Sequence, residues 1–244
     1  MHPEKGAKMD KEGISVIIPV YNEEDLIVKN TTKILNHLGK LKPNYEVMLS
    51  CNGCTDKSAL LANELASKNS NVKVILSRRR GVGLAFRKAV GKACFDKIVS
   101  LDMDLTIDMS FIQKACNLLA DFEVVIGSKV MGTQRRSKIR RWGSIIYIGI
   151  AHLLMGLPFH DYSPSAKAYR RKTLLQYLDF LSRDVGTSYV VETIYRIFKS
   201  GGKITEISVD CDDTRKSKFN IIDEAIYRYR HLFTLFLKSR FWVH

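Results

Sequence analysis

The stretch KIVSLDMDL (97–105) runs from an apolar, β-branched segment into two carboxylates, Asp102 and Asp104, two positions apart. A short β-branched run that ends in polar residues reads as a buried strand emptying into a loop. In extended backbone, side chains at i and i+2 point the same way, so the two acids are expected to aim at one spot. Two hard oxygen donors so placed suit Mg²⁺ or Mn²⁺, which often share their shells with a diphosphate. Acidic pairs are common in loops, so the meaning of this pair depends on what the chain builds around it.

The same pattern recurs. ISVIIPVYN (14–22), YEVMLS (45–50), VKVILS (72–77) and EVVIGSK (123–129) also read as strands. Helical periodicities alternate with them. EEDLIVKNTTKILNHLG has Leu26, Ile27, Ile34, Leu35 and Leu38 in phase and Gly39 as its stop. DKSALLANELASK (56–68), GLAFRKAVGKAC (83–94) and DMSFIQKACNLLA (108–120) follow. Strand then helix, several times over, requires right-handed crossovers and predicts an α/β fold, a mainly parallel central sheet with helices on both faces. Ligands of such sheets lie beyond the carboxyl ends of the strands. Residues 21–23, 51–56, 77–83, 102–104 and 127–129 are therefore expected to converge on one edge.

LSCNGCTDKSA (49–59) holds a Cys-x-x-Cys pair. Zinc would need a second Cys or His pair close by, and a thioredoxin-like pair would sit at a helix start, where Asp56 occupies the capping position. The stretch reads instead as a loop touching a nucleotide, with Asn52 and Asp56 offering acceptors to a base or ribose. RRRGVG (78–83) precedes a helix whose amide-rich N-terminus favours anions. Phe86 stands where G-x-G-x-x-G would need its last glycine, which argues against a dinucleotide site.

The chain has 244 residues, 45% of them hydrophobic, and a formal charge of +14. That length suits one α/β domain with or without a helical appendage. Five cysteines do not suggest a disulfide framework, and residues 1–12 lack the apolar core of a signal peptide. They read as a disordered tail. The positive charge favours an anionic partner. It is densest where Lys129, Arg135, Arg136, Lys138, Arg140, Arg141, Lys167, Arg170, Arg171 and Lys172 face the single acid Asp161. Aromatic residues do not interleave this run as stacking platforms for nucleic acid would.

In order along the chain, these segments resemble family 2 glycosyltransferases of the GT-A fold, most closely the dolichyl-phosphate mannosyl- and glucosyltransferase branch. SVIIPVYNEE looks like the opening strand and loop, CNGCTDKS takes the place of D-D-x-S-x-D, and RRRGVGLAFRKAV that of the G-x-G-x-A segment. DMDL matches D-x-D, IGSK the I-G-S-R strand, DYSPSAKAYRR the D-x-T-S-G-F-R-A-Y-R segment and VETIYRIFKSGGKITEISVD a later Glu-Gly stretch. The resemblance implies a GT-A domain over 13–219, followed by a C-terminal amphipathic helix over 220–244. It implies an inverting transferase that moves a hexose from a nucleotide-sugar, GDP-mannose being favoured over a UDP-sugar, to dolichyl or polyprenyl phosphate. Pro19, Tyr21, Glu23, Asn52, Asp56, Gly81, Asp102, Met103 and Asp104 would then hold the donor, with Asp102 and Asp104 on the metal. Asn52 stands where an acid is usual, Thr106 where mannosyl members have Gln, Ser165 and Ala166 where Gly-Phe is usual, and Lys167 where Arg is.

A lipid phosphate is already ionised near neutral pH and needs cations to place it rather than a base. Arg87, Lys129, Arg141 and Lys167 are the candidates, because such side chains hold phosphate oxygens by charge-assisted bonds. Asp104, Arg141 and Asp161 are the expected catalytic set, Asp161 as partner of a sugar or acceptor hydroxyl. WGSIIYIGIAHLLMGLPF (142–159) carries no formal charge but falls short of a span, so it reads as a buried or interfacial helix with His152 in its core. The last stretch sets Ile222, Ile226, Tyr229, Phe233 and Phe236 at helical spacing among Arg228, Arg230, Lys238 and Arg240. Such a helix suits an anionic membrane surface, a membrane-anchoring partner or a second copy of the chain. The expected place is the cytoplasm, peripheral on the cytoplasmic face of a membrane. The alternatives are a family 2 transferase acting on a glycan or protein hydroxyl, and a basic membrane- or nucleic-acid-binding protein on a non-catalytic fold.

Overall fold

A computed structural model describes residues 11–163, 166–180, 187–213 and 221–240, the side chains of Arg140 and residues 221–224 excepted. Ser165 and most of the expected tail lie outside these residues. The chain opens with β1 (Lys11–Val20), α1 (Ile27–Leu41), β2 (Tyr45–Asn52), α2 (Ser58–Lys68), β3 (Val72–Ser77), α3 (Val82–Lys92), β4 (Phe95–Ser100), α4 (Ser110–Leu118) and β5 (Val124–Ser128). The second part holds β6 (Gln134–Arg135), α5 (Lys138–Met155), β7 (Lys167–Arg170), α6 (Arg171–Tyr177), α7 (Tyr189–Lys199), β8 (Ile204–Ser208), β9 (Cys211–Asp212) and α8 (Ile221–Ser239).

The main sheet has the order β3-β2-β1-β4-β7-β5-β8. Its strands are parallel except β7, which runs antiparallel between β4 and β5. The expected alternation therefore holds, with one strand reversed inside it. Strand order turns back between β1 and β4, which opens a crevice at their carboxyl ends. Tyr21 follows the end of β1 directly, and Asp102 lies two residues past the end of β4.

Two apolar layers cover the sheet. Ile17, Met48, Ile98, Phe86 and Val190 pack on one face, and Val16, Ile18, Val47, Val99, Ile34 and Phe111 on the other. Alternating side chains of β1 thus feed both layers, the pattern of a central strand. Two boundaries differ from the sequence reading. β1 begins at Lys11, which pairs with Phe95, so the last two residues of the expected tail are strand. Helix α1 runs through Gly39 to Leu41, and Lys42 caps it in left-handed conformation at φ 56°. Pro43, which has no N–H to donate, is the actual stop.

Gly127 shows why the sheet needs a glycine beside the reversed strand. A β-carbon there would lie 2.6 Å from that of Ala166 and 2.9 Å from its carbonyl oxygen. The Gly127 N–H instead donates to that oxygen at 2.7 Å, drawing β5 against the entry to β7.

Candidate functional site

The loops after β1 and β2 are laced together. Thr55 N–H donates to Asn22 Oδ1 at 2.9 Å, and Lys57 N–H to Glu24 Oε2 at 2.9 Å. Glu23 N–H donates to Ser58 Oγ at 2.7 Å. Asp56 accepts from Glu24 N–H at 3.1 Å and from Ser58 N–H at 2.9 Å. Burial pushes the Asp56 carboxyl up, but its bonds to Ser58 and Glu24 outweigh that, and its pKa falls below the usual range. Asp56 thus braces the turn into α2, whose N-cap is Lys57 and not the expected Asp56, and ties two loops.

Asn52 is buried and its amide is committed to backbone. Nδ2 donates to Val20 O at 2.8 Å, and Oδ1 accepts from Gly81 N–H at 3.1 Å. It braces the crevice floor, where the sequence reading had it touch base or ribose. Gly53 beside it takes φ +69°, and a β-carbon there would meet Arg80 N at 2.8 Å. That close approach brings the 78–81 loop over the first strand, where the Arg80 guanidinium stacks 4.3 Å from the Tyr21 ring. Pro19, Tyr21 and Glu23 lie half-buried along the same rim.

Cys51 and Cys54 are free thiols in contact with each other. Their hydrogen bond, more than burial, raises the Cys51 thiol far above its normal range. The same bond lowers Cys54 to about 6, against a smaller upward push from burial. Among the described residues no group of three or more His, Cys, Asp or Glu is placed to hold a metal ion, and the pair has no zinc partners.

Asp102 and Asp104 are half-buried at the crevice, but extended backbone is not what aligns them. The strand ends at Ser100, and Leu105 N–H closes a turn on Asp102 O at 3.2 Å, with Leu105 at φ 51°. Asp104 Oδ1 accepts from Thr106 N–H at 3.3 Å. Buried Met103 is anchored through its carbonyl, which accepts Asn30 Nδ2 at 2.9 Å, so this donor candidate serves as a backbone anchor.

Beside the crevice lies a second polar centre. Lys167 begins β7, between Ser100 of β4 and Ile126 of β5. It is fully buried, with Nζ 3.8 Å from Asp161 Oδ1. Burial lowers its pKa to about 8, with Asp161 opposing, while Lys129, Glu206 and Asp102 also act on it. Asp161 accepts Lys129 N–H at 3.0 Å and Ser163 N–H at 2.8 Å. Burial alone would raise the Asp161 carboxyl, but Lys129, Lys167 and Ser163 hold it well below the usual carboxylate range. Lys167 is therefore closed to surface contact and acts on the crevice, Asp102 included, through its field.

Lys129 and Asp161 also line a cavity of about 60 Å³ with Arg136, Ser144, Tyr147, His160, Ser163 and Arg228. Arg136, His160 and Arg228 were not among the sequence candidates. Arg136 lay within the noted basic run, whereas nothing local in the sequence brings α8 to this place. Arg141 is exposed on α5, one turn before Ser144, and flanks the cavity without lining it. Arg87 lies elsewhere, its guanidinium 2.6 Å from Asp179 Oδ1. His152 is held by its own helix-loop corner, Nε2 2.7 Å from Phe159 O.

Helix α5 buries Tyr147, Ala151 and Met155 and exposes Ile139, Trp142, Ile146 and Leu153. At 100° per residue those four fall within about 60° of one another, an apolar stripe turned outward. Helix α8 buries Leu232 and Leu235 and exposes Ile226, Phe233 and Leu237. Among the described residues no helix is long and apolar enough to cross a membrane.

The family model described as Glycosyl transferase family 2 matches residues 15–178. The glycosyltransferase AglD of Haloferax volcanii is 24% identical over 220 residues, 87% of this chain and 35% of that protein. The undecaprenyl-phosphate 4-deoxy-4-formamido-L-arabinose transferase of Proteus mirabilis is 30% identical over 164 residues, 65% of this chain and 49% of its own. The dolichyl-phosphate hexose transferase of Haloferax volcanii is 25% identical over 200 residues, 81% of this chain and 82% of its own. This chain thus spans about a third and about half of the first two. Among solved structures, a glucosyl-3-phosphoglycerate synthase from Mycobacterium tuberculosis, crystallised with Mn²⁺, UDP-glucose and phosphoglyceric acid, superposes with a TM-score of 0.68 at 16% identity. The alignment covers 92% of this chain and 80% of that one, and at this identity the likeness establishes the fold, GT-A as expected.

Proposed function

The chain belongs to glycosyl transferase family 2, and from that premise we propose that it moves a hexose from a nucleotide-sugar to a polyprenyl phosphate, inverting the sugar carbon. The observation that carries this reading is the pairing of two sites. An acidic turn, Asp102 to Asp104, sits at the sheet's switch point, and a cation-lined cavity at the foot of α5 sits beside it. Lys167, which feels both Asp161 and Asp102, lies between them. The names of two relatives, a dolichyl-phosphate hexose transferase and an undecaprenyl-phosphate transferase, support the acceptor class.

In this reading Asp102 and Asp104 hold a divalent ion, Mg²⁺ or Mn²⁺. Two carboxylates fit the protein's share of such a shell, which phosphate oxygens and water complete. The ion, when bound, offsets charge on the departing diphosphate. The laced loops around Asn52 and Asp56 fix the crevice walls, and Tyr21 with Arg80 above it offers a stacking surface to a nucleobase. GDP-mannose is the donor we favour, with a UDP-sugar the alternative.

Lys129 meets the acceptor phosphate, with Arg141 at the edge of its path. No group has to take a proton from an ionised phosphate. Asp161 is poorly suited to do so for a hydroxyl, because it is buried, bonded by two N–H groups and held ionised by two lysines. That argues against a glycan or protein hydroxyl as acceptor. The apolar stripe on α5 and the basic side chains around it suit a bilayer surface, where such an acceptor resides. We place the protein peripherally, on the cytoplasmic face.

The test is transfer from a panel of labelled nucleotide-sugars to polyprenyl phosphate and to the matching polyprenol. Label should reach only the phosphate, from one donor much more than the others. Equal use of the alcohol would overturn the acceptor assignment.

A further inference from the structure

We infer that Arg228, carried by α8, is a phosphate-binding residue that completes the acceptor pocket and makes the C-terminal helix part of the site. The inference rests on the acceptor reading above and adds a residue that lies outside the family-matched residues 15–178.

Three observations support it. The cavity measures about 60 Å³ and its lining is mostly polar and cationic, so it is a recess of the kind a phosphate head can enter. Its charge is unbalanced. Lys129, Arg136 and Arg228 line it against one carboxylate, Asp161, which Lys167 already offsets at 3.8 Å. Arg136 pairs with Asp213 at 3.7 Å and Lys129 acts on Asp161 together with Lys167, whereas Arg228 pairs with no carboxylate among the described residues. Lys129 and Arg228 on one small cavity repel each other, and an anion between them offsets the repulsion.

The third observation is that Arg228 is held in place. Its guanidinium carbon lies 4.2 Å from the centroid of the Tyr147 ring. Tyr147 is buried and packs edge-on against Tyr162 at 6.4 Å and Tyr229 at 5.7 Å. A guanidinium stacked on a fixed ring leaves its N–H edge free to fork onto phosphate oxygens and loses little freedom in doing so. Lys129 follows β5 and Arg228 comes from α8, so the phosphate would be gripped from two elements that meet only in the folded chain.

The experiment measures equilibrium binding of labelled farnesyl phosphate, of farnesol and of a nucleoside diphosphate with Mn²⁺. It compares wild type with Arg228→Gln and Arg228→Lys in the full chain. Arg228→Gln should weaken farnesyl phosphate binding about ten- to a hundredfold, the loss expected for a charged hydrogen bond. Arg228→Lys, which keeps the charge without the fork, should fall between the two. Nucleoside diphosphate binding should not change. In turnover, the KM for polyprenyl phosphate should rise while that for the donor stays put. If wild type prefers farnesyl phosphate to farnesol and Arg228→Gln binds it equally well, the assignment of Arg228 is overturned while the acceptor reading stands. If wild type does not distinguish the two, the acceptor reading itself falls. Equal losses in both variants, together with lost nucleotide binding, would make Arg228 a packing residue and overturn the inference.

Discussion

Lys167 and Asp161 form an ion pair, Nζ to Oδ1 3.8 Å, with both side chains buried beneath the strand ends that carry the acidic turn. Breaking a buried pair by removing one partner leaves a charge without its counterion, which costs about 3–5 kcal/mol. Asp161→Asn should therefore lower unfolding stability by about that much in a denaturant titration. Adding Lys167→Met should recover most of it. If the single variant is as stable as wild type, the pair does not carry the packing assigned to it.

The same pair sets a pH dependence. Burial lowers the Lys167 amine from 10.5 to about 8, so it loses its charge as pH rises through that value. Above pH 8 the crevice loses a cation that acts on Asp102, and nucleoside diphosphate binding should weaken between pH 7 and 9. The folded amine releases its proton before the unfolded one does. Between about 8 and 10.5 the unfolded chain thus binds more protons, and this group's contribution to stability rises with pH. Loss of binding over that range is therefore not caused by destabilisation through this group. Lys167→Met should bind more weakly at pH 7 and show no alkaline limb. A limb that persists in that variant would assign it to another group.

The thiols of the β2–α2 loop make a third test. Cys54 is lowered to about 6 by its bond to Cys51, whose own thiol stays protonated. Iodoacetamide at pH 7 should therefore label Cys54 well before Cys94, which is exposed, with a rate that falls as pH drops through about 6. Cys51→Ser with Cys54→Ser should leave nucleotide binding within a few fold, because Asn22, Glu24, Asp56 and Ser58 lace the loop. Labelling of Cys94 first, measured by peptide mass mapping, would remove the basis for the Cys51–Cys54 contact.

The strands and their shared edge were legible because each β-branched run stops at a polar, turn-forming stretch. Five such stops, from Tyr21 to Lys129, converge as the alternation requires. Lys167 was harder. The strand that carries it, Lys167–Arg170, is four residues long and runs backwards between two parallel neighbours, so its lysine read as a phosphate contact and its burial was not foreseen. Asn52 looked like a ligand contact because its two partners, Val20 at the end of β1 and Gly81 before α3, are remote from it in sequence. Asp102 and Asp104 were expected to align through extended backbone, and the structure carries them on a turn instead. Arg228 was invisible as a site residue, since only the packing of α8 on α5 brings it to Tyr147.

The acidic turn predicts a separation of ligand and stability effects. Asp104 is half-buried, and its Oδ1 accepts a long bond from Thr106 N–H, 3.3 Å. Asp104→Asn keeps the shape and that bond but removes one of two metal carboxylates. Mn²⁺-dependent nucleoside diphosphate affinity should fall at least tenfold in calorimetric titration, with the thermal unfolding midpoint little changed. Metal-independent binding of equal strength in both proteins would sink the ion assignment.

The outward stripe on α5 sets the last prediction. Ile139, Trp142 and Leu153 are 74%, 66% and 84% exposed, although large apolar side chains in water stabilise nothing. Insertion into the headgroup region would remove that area from water at about 25 cal/mol per Å². The basic residues near the stripe, among them Lys138 and Arg141, would add about 1 kcal/mol each on an anionic surface. The protein should therefore pellet with anionic vesicles, more weakly with neutral ones, and come off in high salt. Trp142→Ala with Leu153→Ser should reduce vesicle binding at least tenfold without lowering the unfolding midpoint, because neither side chain is packed. Soluble nucleoside diphosphate binding should not move. A second copy of the chain is the rival occupant of the stripe, and sedimentation separates the two cases. A dimer in the absence of lipid that the double variant dissociates, with vesicle binding unchanged, would assign the stripe to self-association and overturn the membrane reading.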